Sequence, residues 1–503
     1  MAEKDIKKEN LSKIAIKGSI YTFISLFILK FGGLIFTIII ARLLLPELFG
    51  VYSLALSLVT IILVFTDLGT GNTLLRYVSD FLGKRDKNKA RSYGKYLLKI
   101  KFLLILLSVV ILLAISKFLS YTVYENPLLY YPLIFSSLFI ISESLRNFFV
   151  TYFSAKKDMK TPAFFDFSVQ ILKIIFSIIA LLILTDSLKI SGIFLAFFLS
   201  SFITLLLVLF VLVKRDRGLL VGKTEKIDKK PVNTYLKYMA LASLSLVFFG
   251  SIDTLMLGKF VISEYLGYYR VSLSLVLTAA SIFSLSGIFL PIFTQINKRR
   301  FERGFQKTMR YLLIISIPAT VGLAFIARHL IYLVYGKEYL LATSSIYFLV
   351  PLIITTPLIG LYSIVLQSKE KARVVGNSIF ISLIANIGLN YLAIKLFIQN
   401  PLWVIGGVGL ATTLSRLIYL GILMIFAKKT LGLKLRGVGL RSPIFATAIM
   451  ILFLLLFNRL VDMTLILGGV EIISGILIYF GVLILTKGLI KEDFDIIRKL
   501  FKK

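Results

Sequence analysis

The chain has 503 residues, 58% of them hydrophobic, with a mean hydropathy of +0.92 and a formal net charge of +33. It has no cysteine and one histidine, His329. Disulfides, thiolate metal sites, cysteine nucleophiles and histidine clusters are therefore excluded. The basic excess would point to nucleic acid in a soluble chain. Here it lies in short gaps beside apolar runs, and no stripe of interleaved arginines and aromatics forms on a polar segment.

Fourteen apolar runs are long enough to span a bilayer: residues 18–41, 49–78, 97–120, 128–153, 162–185, 190–213, 236–258, 265–293, 309–332, 340–366, 374–397, 402–427, 442–460 and 466–486. The fold class is all-α and polytopic. The basic N-terminal stretch before residue 18 is followed by a run too long for a signal-peptide core, so it reads as a retained first span. Every second gap is cationic: Lys84 to Lys95 after the second run, Lys156 to Lys160 after the fourth and Lys214 to Lys230 after the sixth. Lys298 to Lys307, Lys369 to Arg373 and Lys428 to Arg441 continue the series, and the C-terminus adds more. The alternate gaps are poor in charge. Both termini are therefore expected on the cytoplasmic side of the cell membrane.

The two halves resemble each other. Residues Ala41 to Val59 lie over Gly258 to Val276, matching Glu47 with Glu264, Gly50 with Gly267 and Tyr52 with Tyr269. Ser116 to Tyr124 lies over Ala327 to Tyr335, and Gly192 lies over Gly409. Six spans per repeat is even, so the repeats share one orientation. The expected organisation is an N-terminal six-helix lobe (1–213), a cytoplasmic linker (214–235), a C-terminal six-helix lobe (236–427), two additional helices (442–486) and an amphipathic tail (487–503).

A charge at mid-bilayer costs about 2.5–3.5 kcal/mol, so it normally faces a partner or a cavity. The candidates at depth are Lys30, Asp67, Glu143, Arg146 and Lys173 in the first half and Arg416 in the second. Asp253 and Arg270 lie nearer the outer side, Arg76 and Asp166 nearer the inner. Two readings stay open for the set: salt bridges that position helices, or a cationic cavity for an anionic headgroup. Lys30 and Arg416 stand out because no acidic residue neighbours either on its own helix face. Asp67, Glu143 and Asp253 could carry a coupling proton or cation, but the plainer reading is that each neutralises a nearby Lys or Arg. Gly69 and Gly71 weaken the second span and permit a bend or close packing, and Pro291, Pro318, Pro351 and Pro357 are further candidate bends. No metal-ligand spacing, phosphate loop or nucleophile elbow is present, so no cofactor is expected and the protein is not read as an enzyme.

The segments ARLLLPELFGVYSLA and FTDLGTGNTLLRYVS in the first two spans, with NSIFISLIANIGLNYLAI and GGVGLATTLSRLIYL later, resemble polysaccharide-biosynthesis flippases. These belong to the multidrug/oligosaccharidyl-lipid/polysaccharide exporter superfamily. The resemblance implies two six-helix lobes forming a V around a cavity, rocking in alternating access. It also implies a lipid-linked oligosaccharide turned from the inner to the outer leaflet, with membrane lipids and a proton or sodium ion as further partners and no nucleic acid. Lys30, Arg146, Lys173 and Arg416 suit the substrate-holding role by depth. Two other functions are weighed. A cation-coupled multidrug exporter of the same fold would favour an acidic or aromatic cavity, whereas the charges at depth here lean positive. A membrane glycan polymerase or ligase would carry a large outer loop, and the outer gaps here are short.

Overall fold

The computed structural model describes residues 2–215, 217, 221–282, 298–433, 439–460 and 465–489. Among them every long element is a helix and no strand occurs. The helices are α1 (Ala2–Asp67), α2 (Thr70–Gly83), α3 (Lys87–Phe118), α4 (Tyr130–Ala155), α5 (Lys160–Ile183), α6 (Asp186–Arg215), α7 (Lys229–Phe260) and α8 (Ser263–Ile282). They continue as α9 (Lys298–Tyr335), α10 (Thr343–Leu349), α11 (Leu352–Ser368), α12 (Ala372–Phe397), α13 (Pro401–Leu431), α14 (Arg441–Leu460) and α15 (Leu465–Leu485).

Ten of the described helical stretches are long and apolar enough to cross a membrane, or eleven if the bent pair Lys337–Leu349 and Leu352–Ser368 is one span. The difference from fourteen has identifiable causes. The first two expected spans are both in the stretch Lys30–Gly83, which breaks at Leu45 (φ 61°, ψ 171°) just before Pro46. The described apolar stretch of α14 is only Arg441–Phe457, and the eighth expected span continues beyond the described residues. Pro351 sits at the 48° bend between α10 and α11, where a missing N–H makes a helix break inexpensive. Pro291 and most of the amphipathic tail (residues 490–503) lie outside the described residues.

Helix ends follow from local chemistry. Asn126 and Asn400 each cap a helical turn, accepting from the N–H of Leu128 and Leu402, with Pro127 and Pro401 at the first helical position. Asp86 caps α3 by accepting from the Lys89 N–H. Helix α13 stops at Gly432, whose φ of 68° is left-handed.

The chain falls into two compact units, Met1–Arg270 and Val271–Lys503. Packing thus carries the linker and α7 with the first unit, although the sequence repeat divides the chain between residues 213 and 236. The linker is pinned to the ends of α2 and α3. Arg91 donates to the Lys223 carbonyl at 2.7 Å, the Glu225 N–H donates to Ser92 Oγ at 2.8 Å, and Tyr96 donates to Asn233 at 2.7 Å. Arg76 lies 4.4 Å over the ring of Tyr235.

At the other end of this unit, the break at Leu45–Pro46 meets the α7–α8 turn. A Cβ on Gly50 would overlap the Ser263 carbonyl oxygen and stand 2.6 Å from its carbon, and one on Gly267 would overlap the Pro46 carbonyl oxygen. Pro46 aligns with Ser263 in the sequence match, and Gly50 with Gly267. The contact is thus reciprocal: each glycine admits the carbonyl of the other segment's equivalent residue. Lys259 donates to Glu125 at 2.8 Å and Asn126 to Ser263 at 3.3 Å beside it. The Lys259 ammonium holds the exposed Glu125 carboxyl below its usual range.

In the second unit, α14 and α15 pack on α9. Tyr479 donates to the Ile314 carbonyl at 2.6 Å, and Arg310 donates to the Gly488 carbonyl at 2.6 Å. Ala446, Met450, Leu454, Tyr479 and Leu483 bury their side chains with Ile314.

Candidate functional site

Helix α1 ends at Asp67 because the next two residues leave helical space, Leu68 with φ 37° and Gly69 with φ 81°. Glycine takes that conformation without strain, and Met239 of α7 occupies the space a Cβ at Gly69 would need. Helix α2 restarts at Thr70, so its first N–H groups require acceptors inside an apolar segment. Asp67 supplies one. Its Oδ1 accepts from Thr70 Oγ1 at 2.8 Å, from the Gly71 N–H at 3.2 Å and from Lys101 Nζ at 3.1 Å. The carboxylate both caps the restarted helix, where negative charge is favoured, and neutralises a lysine that is 2% exposed.

A second cluster joins α4 and α5. The i, i+3 spacing of Glu143 and Arg146 places both on one face of α4, and their contact is bidentate, Nε to Oε2 at 2.9 Å and Nη2 to Oε1 at 2.6 Å. Arg146 Nη1 also reaches Asp166 Oδ1 at 3.4 Å, and Nη2 donates to Asn147 Oδ1 at 2.8 Å. The Asn147 amide returns a hydrogen bond to Glu143 at 3.1 Å. Lys173, two turns after Asp166 on α5, holds its Nζ 4.3 Å from the Phe36 ring centroid and 4.2 Å from that of Phe197. Small residues let these helices approach: Thr66 and Ser144 share a hydrogen bond at 2.6 Å, Ser142 bonds to Ser201, and Gln170 of α5 packs against Gly32.

Among the described residues, the two clusters combine three carboxylates (Asp67, Glu143, Asp166) with three cations (Lys101, Arg146, Lys173). Formal charge balances. Four of the five Arg146 N–H donors meet these partners, and the contact with Asp166 ties α4 to α5. Asp253 is 2% exposed and accepts from the Tyr269 O–H at 2.8 Å. Lys30 is exposed on α1. The structure therefore brings together Asp67 with Lys101, and Glu143 with Arg146 beside Lys173. Arg416 belongs to the second unit, half-buried on α13 with Ser415 fully buried beside it. On α12, Asn386 and Asn390 are buried, and the Asn390 amide donates to Asn386 Oδ1 at 3.5 Å.

Two buried charges are absent from the sequence-derived set. Lys101 reads as part of the basic run Lys95–Lys99–Lys101, yet it lies on the buried face Leu97, Ile105, Ser108 and Leu112 of α3. Its helical phase was the available signal. Glu471 is 0% exposed on α15, in phase with buried Gly475, Tyr479 and Leu483.

Membrane-length helices, a break inside an apolar segment and charge pairs buried at depth define a polytopic membrane protein with a polar interior. The chain belongs to the polysaccharide biosynthesis protein family, which matches residues 39–344. Among solved structures, the lipid II flippase MurJ in its inward closed conformation is similar with a TM-score of 0.68 at 17% identity, over 93% of this chain and 98% of its own. An outward-facing multidrug resistance MATE family transporter of the MOP superfamily gives 0.59 at 17%, over 83% and 97%. A MOP superfamily transporter from Pyrococcus furiosus, described as having reversed binding-pocket polarity, gives 0.55 at 14%, over 84% and 96%. At these identities the likeness is one of fold: this chain has the fold of MOP-superfamily transporters. No curated protein matches it in sequence.

Proposed function

We propose that the protein flips a lipid-linked oligosaccharide from the cytoplasmic to the outer leaflet of the cell membrane, for surface polysaccharide or glycoprotein synthesis. It does so by alternating access of two six-helix lobes, without chemical conversion of the substrate. Membership of the polysaccharide biosynthesis family supports the substrate class. The alternation of basic and charge-poor gaps supports cytoplasmic termini. A glycan cannot cross hydrocarbon unaided, because each unsatisfied polar group costs several kcal/mol.

The observation that carries the reading is Lys173. Its ammonium rests on two aromatic faces, 4.3 and 4.2 Å from their centroids, in the middle of a membrane helix. Cation–π contact stabilises the charge and leaves the N–H donors available to an anionic phosphate or sugar. Lys30, exposed on α1, is a further anion-holding candidate of the first unit, and Arg416, on α13, is the candidate of the second. Arg146, Asp67, Glu143 and Asp253 act as pairing residues, and any proton or sodium coupling passes through these carboxylates.

The test is the lipid-linked glycan pool in cells lacking the gene, complemented with wild type, Lys30→Ala, Lys173→Ala or Arg416→Ala. Accumulated carrier-linked saccharide in the deletion strain and in the variants, each at wild-type abundance, is the expected result. An unchanged pool in the deletion strain overturns the function. Full complementation by all three variants overturns the site.

A further inference from the structure

Between the start of α12 and the end of α13, in the second unit, lies a groove of about 500 Å³ that the proposed transport cycle does not use. Lys371, Arg373, Asn377 and Ile381 line it from α12, and Ile422 and Phe426 line it from α13. Ala393 against Gly407 and Phe397 against Trp403 set an antiparallel register that levels Ile422 with Ser378 and Phe426 with Val374. The groove changes character along α12. Lys371, Arg373 and Asn377 are exposed and polar, whereas from residue 380 the exposed side chains become apolar: Phe380 46%, Ile381 50% and Ile384 57%. The boundary between water and hydrocarbon therefore crosses the groove. Arg373 and Ile381 are eight residues apart, about 12 Å along the helix. The interfacial layer of one leaflet is about 5–8 Å thick, so this length crosses it and reaches into the hydrocarbon.

We propose that this groove binds an anionic glycerophospholipid, its phosphate diester between Lys371 and Arg373 and its proximal acyl chain over Ile381 and Ile422. Charge selects the occupant. Glu370 also lines the groove, so its charged residues sum to one positive charge. A lipid with one net negative charge completes that balance, and a zwitterionic lipid does not. The apolar side chains select a lipid over a free anion, because phosphate alone would leave Ile381 and Ile422 uncovered. The Asn377 amide offers donors to the glycerol or headgroup oxygens. Lys369 is held elsewhere, 4.7 Å over the Phe301 ring, so it is not assigned to the phosphate.

The experiment is native mass spectrometry of the full-length protein with matched concentrations of phosphatidylglycerol or phosphatidylcholine. Phosphatidylglycerol adducts are expected to survive activation that strips phosphatidylcholine. Lys371→Gln with Arg373→Gln should lower phosphatidylglycerol retention about tenfold. Lys156→Gln with Lys157→Gln removes the same charge from the first unit and should leave retention unchanged. Ile422→Trp fills the apolar part of the groove with all charges intact and should also lose the adduct. Equal retention of the two lipids overturns the proposal, as does equal loss in the Lys156/Lys157 variant or wild-type binding by Ile422→Trp. Displacement of the lipid by inorganic phosphate, or by an equimolar polyprenyl phosphate, also overturns it, pointing to a free-anion site or a substrate station respectively.

Discussion

Gly50→Ala is the sharpest perturbation available in the first unit. The added methyl would overlap the Ser263 carbonyl oxygen and lie 2.6 Å from its carbon. Carbon atoms make favourable contact at about 3.5–4.0 Å, so the α7–α8 turn must retreat by at least about 1 Å, and further to clear the oxygen. The obstacle is backbone, which has no rotamer to escape into. Overpacking of this kind typically costs about 1–3 kcal/mol. Gly267→Ala meets the Pro46 carbonyl in the same way and should behave alike. The reciprocal geometry makes a further claim. Once one methyl has pushed the turn away, the second meets a gap already opened, so the double variant should cost clearly less than the two singles added. Denaturation midpoints of wild type, both singles and the double in one detergent close the cycle. Wild-type stability in either single variant would refute the contact. Additivity in the double would refute its reciprocity.

Gly69→Ala should destabilise by about 1–3 kcal/mol, since φ 81° and the Met239 side chain both oppose a Cβ, while Gly250→Ala in open helix should gain up to about 1 kcal/mol. Arg146→Met strands the Glu143 and Asp166 carboxylates and should cost about 3–5 kcal/mol, whereas Lys189→Met at the Asp186 pair, whose carboxylate is 79% exposed, should cost under about 1 kcal/mol. Equal midpoints for these two variants would contradict the burial of the Arg146 cluster. The Glu125–Lys259 pair should titrate. Its carboxyl is depressed in the folded state, so its stabilisation is present above the ordinary glutamate pKa of about 4.3 and is lost as pH falls through the folded value. The midpoint difference between wild type and Glu125→Gln should therefore be constant near neutrality and vanish at acid pH. A difference that grows on acidification would contradict the assignment.

Hydropathy is a local property, and what depends on it was legible in the chain. Run length placed the spans, because the hydrocarbon thickness sets how many apolar residues each needs. The Gly69 break was anticipated from residue type, since glycine tolerates a left-handed turn in a helix that lipid would otherwise hold continuous. The match of Gly50 with Gly267 was likewise visible as an alignment. Tertiary structure decided what the charges do. Asp67 meets Lys101 across 34 residues and Arg146 meets Asp166 across 20, and no periodicity within one helix announces a partner on another. Neighbouring lysines give Lys101 an interfacial appearance, while its helical phase turns it inward. Only packing revealed that the two matched glycines touch each other's segments, and that α7 lies with the first unit. Burial from water makes a span, and a local count can find it. The choice of partner inside that span depends on how helices far apart in sequence are brought side by side.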